Sequence, residues 1–280
     1  MITANGGTIS LDISPAGLYE RSTPNLGADV APGGKILIAL PHWDGDKNQA
    51  MLLARLLADT QPTHTNAADI LFVHRFDSSL DNGTIQYVSR KFNVKTQRSV
   101  SREIGWPQGC NGTFFGMIDW IYRDMVSKGG KSPYKMVLVA ESDCAPLYTD
   151  WIERMSKEWD RINAIKKVCI AGHLIPDGDV KRNNAHINGG SCMISTHPKF
   201  MEWMATKVAG GMRRDGGWDW LLTKKFEKIG WSHTPTIRSE WHRKSAFTML
   251  DFQRLRGEGV VWFHGQKDNS LLDVARSMIT

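Results

Sequence analysis

Short apolar runs recur along the first half of the chain, each closed by a polar or turn-forming break. Lys35-Ile-Leu-Ile-Ala-Leu40 is nearly continuous and is followed by Pro41, which is expected to stop it. Asp69-Ile-Leu-Phe-Val-His74 and Lys135-Met-Val-Leu-Val-Ala140 repeat the pattern, the second most clearly. Runs of this length without alternation predict strands covered on both faces, as in a parallel sheet. Between them, Ala50, Leu53, Ala54 and Leu57 recur at helical spacing behind Asp44 and Asp46, two good helix N-caps. Thr84 to Phe92 predicts a short helix, Val94 to Val100 a short strand, and Thr113 to Met125 a helix. Thr149 is placed to cap a helix whose Trp151, Ile152, Met155, Trp159, Ile162 and Ile165 form one stripe, and Val168 to Ala171 predicts a further strand. Strand and helix in alternation define an α/β fold with a mostly parallel sheet flanked by helices.

The alternation then loosens. Ser191 to Ser195 predicts a strand, Lys199 to Val208 a helix, and Trp218 to Ile229 a second helix behind Gly210, Gly211, Gly216 and Gly217. Val260 to Phe263 predicts a late strand and Leu271 to Met278 a last helix. Met1 to Gly34 reads as an irregular lead-in, and no linker or repeat divides the rest, so residues 35–280 are expected to form a single domain. Its 35–180 half carries the regular alternation, and 181–280 is an elaborated second half. With 41% hydrophobic and 23% charged residues, disorder, collagen and coiled coil are excluded as the main state. No run approaches ~18 apolar residues, so no membrane span is expected. Met1 to Ser14 lacks the pattern of a secretory signal. Cys110, Cys144, Cys169 and Cys192 are widely spaced, which argues against a disulfide framework or a structural zinc site and for a reducing cytoplasm. A monomer is the expected state.

Charge changes the picture. The net is +6, but 1–180 holds 19 basic against 20 acidic residues, while 181–280 holds 16 basic against 9 acidic. A basic excess confined to one part of a chain suits a polyanionic partner, nucleic acid first; the plainer alternative is a solvated basic face. Six of the eleven tryptophans (Trp203, Trp218, Trp220, Trp231, Trp241 and Trp262) share that segment. Aromatics among Lys and Arg can stack on bases or sugars, though about half of these six are expected in the core.

In open α/β sheets, ligands bind outside the carboxyl ends of the strands. Three such ends are polar: Pro41-His42-Trp43-Asp44, His74-Arg75-Phe76-Asp77 and Glu141-Ser142-Asp143. Two carboxylates one residue apart at the tip of a buried strand are costly unless something pairs with them. A divalent cation such as Mg²⁺ or Mn²⁺ is a natural partner, with substrate phosphate oxygens filling its other positions. The alternative is an acidic loop that caps the helix near Thr149.

Glu141-Ser-Asp143 resembles the D-x-D motif of the nucleotide-sugar glycosyltransferases of the GT-A fold, with Glu rather than Asp at the first acid. The resemblance implies a GT-A-like (Rossmann-like) sheet, with Asp143 as a metal ligand and Glu141 reaching the ribose or a metal-bound water. Three later segments fall in the family's order. His186-Ile-Asn188-Gly189-Gly190 is similar to the strand that lines the donor sugar, where glycines let backbone approach closely; an Asn-Gly turn is the alternative. Gly216-Gly-Trp218-Asp219-Trp220 is similar to the acidic segment beside the acceptor pocket. It makes Asp219 the general base of an inverting enzyme, or a donor-sugar contact in a retaining one; an acid stabilised by its helix dipole is the alternative. Phe263-His264-Gly-Gln-Lys267-Asp268 resembles a late His-Gly-x-Lys loop, making His264 a metal ligand and Lys267 a diphosphate contact. His42 and Trp43 fall where the family holds the donor base, with Asp77 nearby and Asn111 a further candidate. The likeness runs from Lys35 to Lys267.

The acceptor side of that family is built from C-terminal segments, which here are basic and Trp-rich. The chain resembles phage enzymes that glycosylate hydroxymethylated pyrimidines. That likeness implies a transfer of glucose from UDP-glucose onto a modified base in double-stranded DNA, in the host bacterial cytoplasm. Lys224, Lys225, Arg243 and Lys244 would neutralise phosphates, and Trp218, Trp220 or Trp241 would stack on a base flipped from the duplex. Competing readings are a glycan or lipid acceptor at a membrane surface, a metal-dependent nuclease or phosphoesterase using His42, Asp44, Asp46, Asp143 and His264, and a DNA-binding protein without activity. The last leaves Glu141, Asp143 and His264 without a purpose.

Overall fold

The structure is a computed structural model that describes residues 23–26, 34–176, 185–209, 216–240 and 245–280. The first half builds β1 (Lys35–His42), α1 (Lys47–Asp59), β2 (Ala68–His74), α2 (Asn82–Ser89), β3 (Asn93–Arg98), α3 (Gln108–Ser127), β4 (Tyr134–Ala140), β5 (Cys144–Pro146) and α4 (Trp151–Ile165). There follow β6 (Ile170–Ile175), β7 (His186–Ser195), and α5 (Pro198–Trp203), which runs into a π turn at Met204–Val208. The chain ends with α6 (Trp218–Leu221), α7 (Thr223–Ile229), β8 (Trp231–His233), β9 (Ile237–Ser239), α8 (Met249–Gly257), β10 (Trp262–His264) and α9 (Ser270–Ile279).

Seven strands form the main sheet in the order β3-β2-β1-β4-β7-β6-β8. The pairs β1–β2, β1–β4, β2–β3 and β6–β8 are parallel, and only β7 runs against its neighbours β4 and β6. The continuous apolar runs have a simple cause. Ile36, Ile38 and Leu40 enter one core with α1, α4, α8 and α9, whereas Leu37 and Ala39 enter another with α3, α5 and α7. Strand β4 divides the same way, Met136 and Leu138 to the first core and Val137 and Val139 to the second. With both faces covered, every position must be apolar. Asp69 and His74 are the polar exceptions in β2; Asp69 lies at its buried start. The Asp69 carboxylate accepts from Lys35 Nζ at 3.1 Å, Asn93 Nδ2 at 3.2 Å and Tyr134 Oη at 3.0 Å, which offsets its burial.

Several expectations need correction. Pro41 does not stop β1, which continues to His42. Past Ala39 the strand pairs only with β2, so the missing N–H falls where β1 has a single neighbour. Asp46 stands at the N-cap of α1 and Asp150 at that of α4, but neither side chain caps its helix, and Thr149 is not the cap. Ile165 leaves the α4 stripe and is 77% exposed. The helix expected over Trp218 to Ile229 breaks at Leu222. The short β5, β8 and β9, and helix α8, carried no pattern that predicted them.

A second sheet, β5-β10-β9, sits beyond the carboxyl end of β4. Its β10 pairs antiparallel with β5, setting His264 opposite Cys144, and parallel with β9, setting His264 beside Ser239.

Candidate active site

Three strand ends meet at one edge of the main sheet. Strand β4 delivers Glu141 and Asp143. Because β7 is reversed, its beginning lies at that same edge, with Ser191 opposite Ala140 and the Glu141 N–H donating to the Gly190 carbonyl at 2.9 Å. The second sheet brings His264 in from above, and the Gly265 N–H donates to the Asp143 carbonyl at 3.1 Å.

Among the described residues, Glu141, Asp143 and His264 form the one group of acids, histidines and cysteines whose ligand atoms all lie within 4.8 Å of one another. His264 Nε2 is 3.3 Å from Asp143 Oδ1 and 3.5 Å from Glu141 Oε2, and Lys267 Nζ is 2.8 Å from Asp143 Oδ2. Asp143 is 0% exposed, and neither of its carboxylate oxygens nor His264 Nε2 makes a hydrogen bond of normal geometry. Burial alone would raise the Asp143 carboxyl, but the His264 and Lys267 cations hold it well below the usual carboxylate range. Burial likewise pulls His264 and Lys267 down, yet Asp143 and Glu141 raise them to about 9 and about 12. Two carboxylates and one imidazole, whose second ring proton an incoming cation would displace, are a donor set that fits Mn²⁺ or Mg²⁺. The Lys267 side chain is largely exposed.

Glu141, His264 and Lys267 line a cavity of about 990 Å³, while Asp143 is fully buried and is not one of its walls. At one end stand His42, Trp43, Asp46 and Arg75. His42 is 2% exposed; its Nδ1 pairs with the Leu40 carbonyl at 3.2 Å, and its Nε2 has no hydrogen-bond partner. Trp43 is 47% exposed, and the Arg75 guanidinium lies 4.8 Å from its ring centroid. Asp46 accepts from the Trp43 N–H at 2.8 Å and the Ser142 hydroxyl at 3.3 Å; burial raises its carboxyl.

The other end is walled by β7, α3 and α6. Asn188, Gly189 and Asp219 line it, and the Asp219 oxygens accept from the Gly189 N–H at 2.8 Å and the Trp220 N–H at 2.9 Å. Burial raises the Asp219 carboxyl, against His186, whose Nε2 lies 3.9 Å away. The Asn-Gly-Gly segment is strand, not turn. A Cβ on Gly190 would stand 2.5 Å from Glu141 Oε2, and one on Gly189 would stand 2.7 Å from the Trp218 ring and 2.8 Å from Asp219 Cβ. The glycines let β7 press against the acids on both sides.

The remaining candidates divide: Asn111, Trp218 and Trp220 line the cavity, and the other described ones do not. Asp77 is not a wall of the cavity, because its carboxylate is taken by Arg75 at 2.6 and 2.7 Å. Trp218 lines the cavity but is buried, with its face stacked 3.5 Å from Phe114. Trp220 lines it and is partly exposed. Lys224 and Lys225 stand on α7 outside the cavity walls, and Lys224 pairs with Glu227 at 3.2 Å. Trp241, Arg243 and Lys244 lie outside the described residues. Asn111, buried at the start of α3, ties two segments together: its Oδ1 accepts from the Trp218 N–H and its Nδ2 donates to the Gly216 carbonyl. Arg75 falls in the polar strand end after β2 that the sequence pointed to, though without a role of its own, while Trp106, after the carboxyl end of β3, and Cys110, on α3, were not anticipated. The strand-end rule, extended to β3, reaches Trp106; Cys110 carried no signal, and burial pushes its thiol up to about 11.

No protein-family model matches the chain, and no curated protein matches it in sequence. Solved structures do. The chain is similar to the WbbM bifunctional glycosyltransferase, with a TM-score of 0.52 at 10% identity over 90% of this chain. It spans about half (51%) of the length of that protein. The galactosyltransferase LgtC, solved with donor and acceptor sugar analogs, gives 0.46 at 12% identity over 87% of this chain and 96% of its own. The α/β fold, with its mostly parallel sheet between helices, is therefore GT-A-like.

Proposed function

We propose that the protein is a glycosyltransferase that takes its sugar from a nucleoside diphosphate donor, with UDP-glucose the first candidate. The observation that carries the reading is the Glu141–Asp143–His264 cluster at the carboxyl edge of a GT-A-like sheet, with Glu141 and His264 facing a large cavity and Asp143 buried beside them. Asp143 and His264 would hold a divalent cation, with Glu141 beside them. Bound there, the cation supplies positive charge against the leaving diphosphate. Lys267, released from Asp143, adds a second positive charge to the same group. Arg75 and Trp43 form a cation–π pair at the far end, where a flat base finds a ring and a guanidinium. Asn188 and the β7 backbone face the sugar. In an inverting transfer the acceptor hydroxyl oxygen bonds to the anomeric carbon, the bond to the diphosphate breaks, and Asp219 takes the hydroxyl proton. Its burial-raised carboxyl suits that work.

The acceptor reading, a hydroxymethylated base in DNA, is supported by the basic excess of residues 181–280. Mass spectrometry of hydroxymethylated duplex DNA, incubated with Mn²⁺ and a panel of sugar nucleotides, tests both levels. One hexose per modified base is the expected product. Nucleoside diphosphate release with unaltered DNA would move the acceptor to a glycan or lipid. No release from any donor would contradict the transferase reading itself.

A further inference from the structure

We propose that Ser239 is a positioning residue for His264, fixing the imidazole so that Nε2 faces Asp143 and Glu141 as a metal ligand. The inference rests on the metal reading above. Strands β9 and β10 run parallel with Ser239 directly beside His264. The Ser239 hydroxyl lies 3.3 Å from His264 Nδ1, and both residues are buried. A neutral imidazole donates from one nitrogen and accepts at the other. When a bound cation takes the place of one ring proton, Nδ1–H given to Ser239 leaves the lone pair on Nε2, the nitrogen 3.3 Å from Asp143 and 3.5 Å from Glu141.

Ser239 is itself held in place. Its N–H donates to His173 Nδ1 at 3.2 Å, and the next N–H along, that of Glu240, donates to the His264 carbonyl at 2.9 Å. The imidazole is thus tied at its ring and at its backbone from the same strand. Metal-bound histidines commonly give their second ring N–H to such a partner, and its removal weakens metal binding by about 10–100-fold.

Isothermal titration of the full chain with Mn²⁺ alone tests this, with metal-free thermal melts to verify folding. Ser239→Ala is expected to weaken Mn²⁺ about 10–100-fold while the metal-free protein still melts cooperatively. Ser239→Thr and Ser239→Val share one shape and differ in the hydroxyl. Thr is expected to stay near the parent affinity and Val to fall with Ala, a split that packing alone does not produce. Parent-like affinity in Ser239→Ala, or equal weakening in Thr and Val, would overturn the role of Ser239 and leave the metal site standing. A parent protein that takes up no Mn²⁺ would overturn both.

Discussion

Asp143 is the residue on which the site turns, because a fully buried carboxylate must be paired. Removing one partner of a buried pair costs about 3–5 kcal/mol, so Asp143→Ala in the metal-free protein is expected to lower stability by that order, read by urea titration. His42 behaves differently. Burial, chiefly, lowers its pKa from 6.5 to about 4, so the folded protein keeps it neutral where an unfolded chain would bind a proton. Stability is therefore expected to fall as pH drops from 6.5 toward 4, and His42→Gln should flatten that part of a melting-temperature profile against pH. The cluster's members were legible in the sequence because each follows a strand and carries a charge or an imidazole. Asp46 was read as a helix cap, since an acid before a helix looks like one. Only the fold shows its carboxylate turned to the Trp43 N–H and the Ser142 hydroxyl instead.

Strand β7 is the element that makes the edge into a site. Reversed between β4 and β6, it lays Asn188–Gly190 beside Glu141 on one side and Asp219 on the other. The two glycines are expected to differ. Gly190→Ala meets the end of the partly exposed Glu141 side chain, which can swing aside, and His264 Nε2 at 3.0 Å, so metal affinity should fall and stability should drop by less than in Gly189→Ala. Gly189→Ala meets Trp218, which is stacked on Phe114 and cannot move away. Overpacking of that kind costs about 1–3 kcal/mol, and chemical denaturation of the pair measures the contrast. The strands β1, β2 and β4 were legible because burial on both faces demands unbroken apolar runs. The three-residue strands β5, β8 and β9 were not, since so short a segment has no period to read and is held by its partners.

At the scale of the whole molecule, the alternation of strand and helix disclosed the fold class, while the reversal of β7 and the second sheet depend on long-range pairing that no local pattern carries. The charge asymmetry is also a whole-molecule property, and part of it is spent locally. Arg238 and Arg254 pair with Glu258, and Lys224 pairs with Glu227. If DNA is the acceptor, replacing Lys224, Lys225 and Lys228 with Gln should flatten the dependence of log affinity on log salt by about 0.9 for each phosphate no longer neutralised. Absence of DNA affinity at low salt would remove that acceptor. On the proposed reading, a divalent cation between Asp143 and His264 holds a diphosphate donor. The most direct measurement is the melting temperature with UDP-glucose, in Mn²⁺ and in chelator, for the parent protein and Asp143→Asn. A ligand that binds the native state alone raises that temperature. The account requires a rise in the parent with Mn²⁺ that disappears in chelator and in Asp143→Asn; an equal rise in all of them would contradict it.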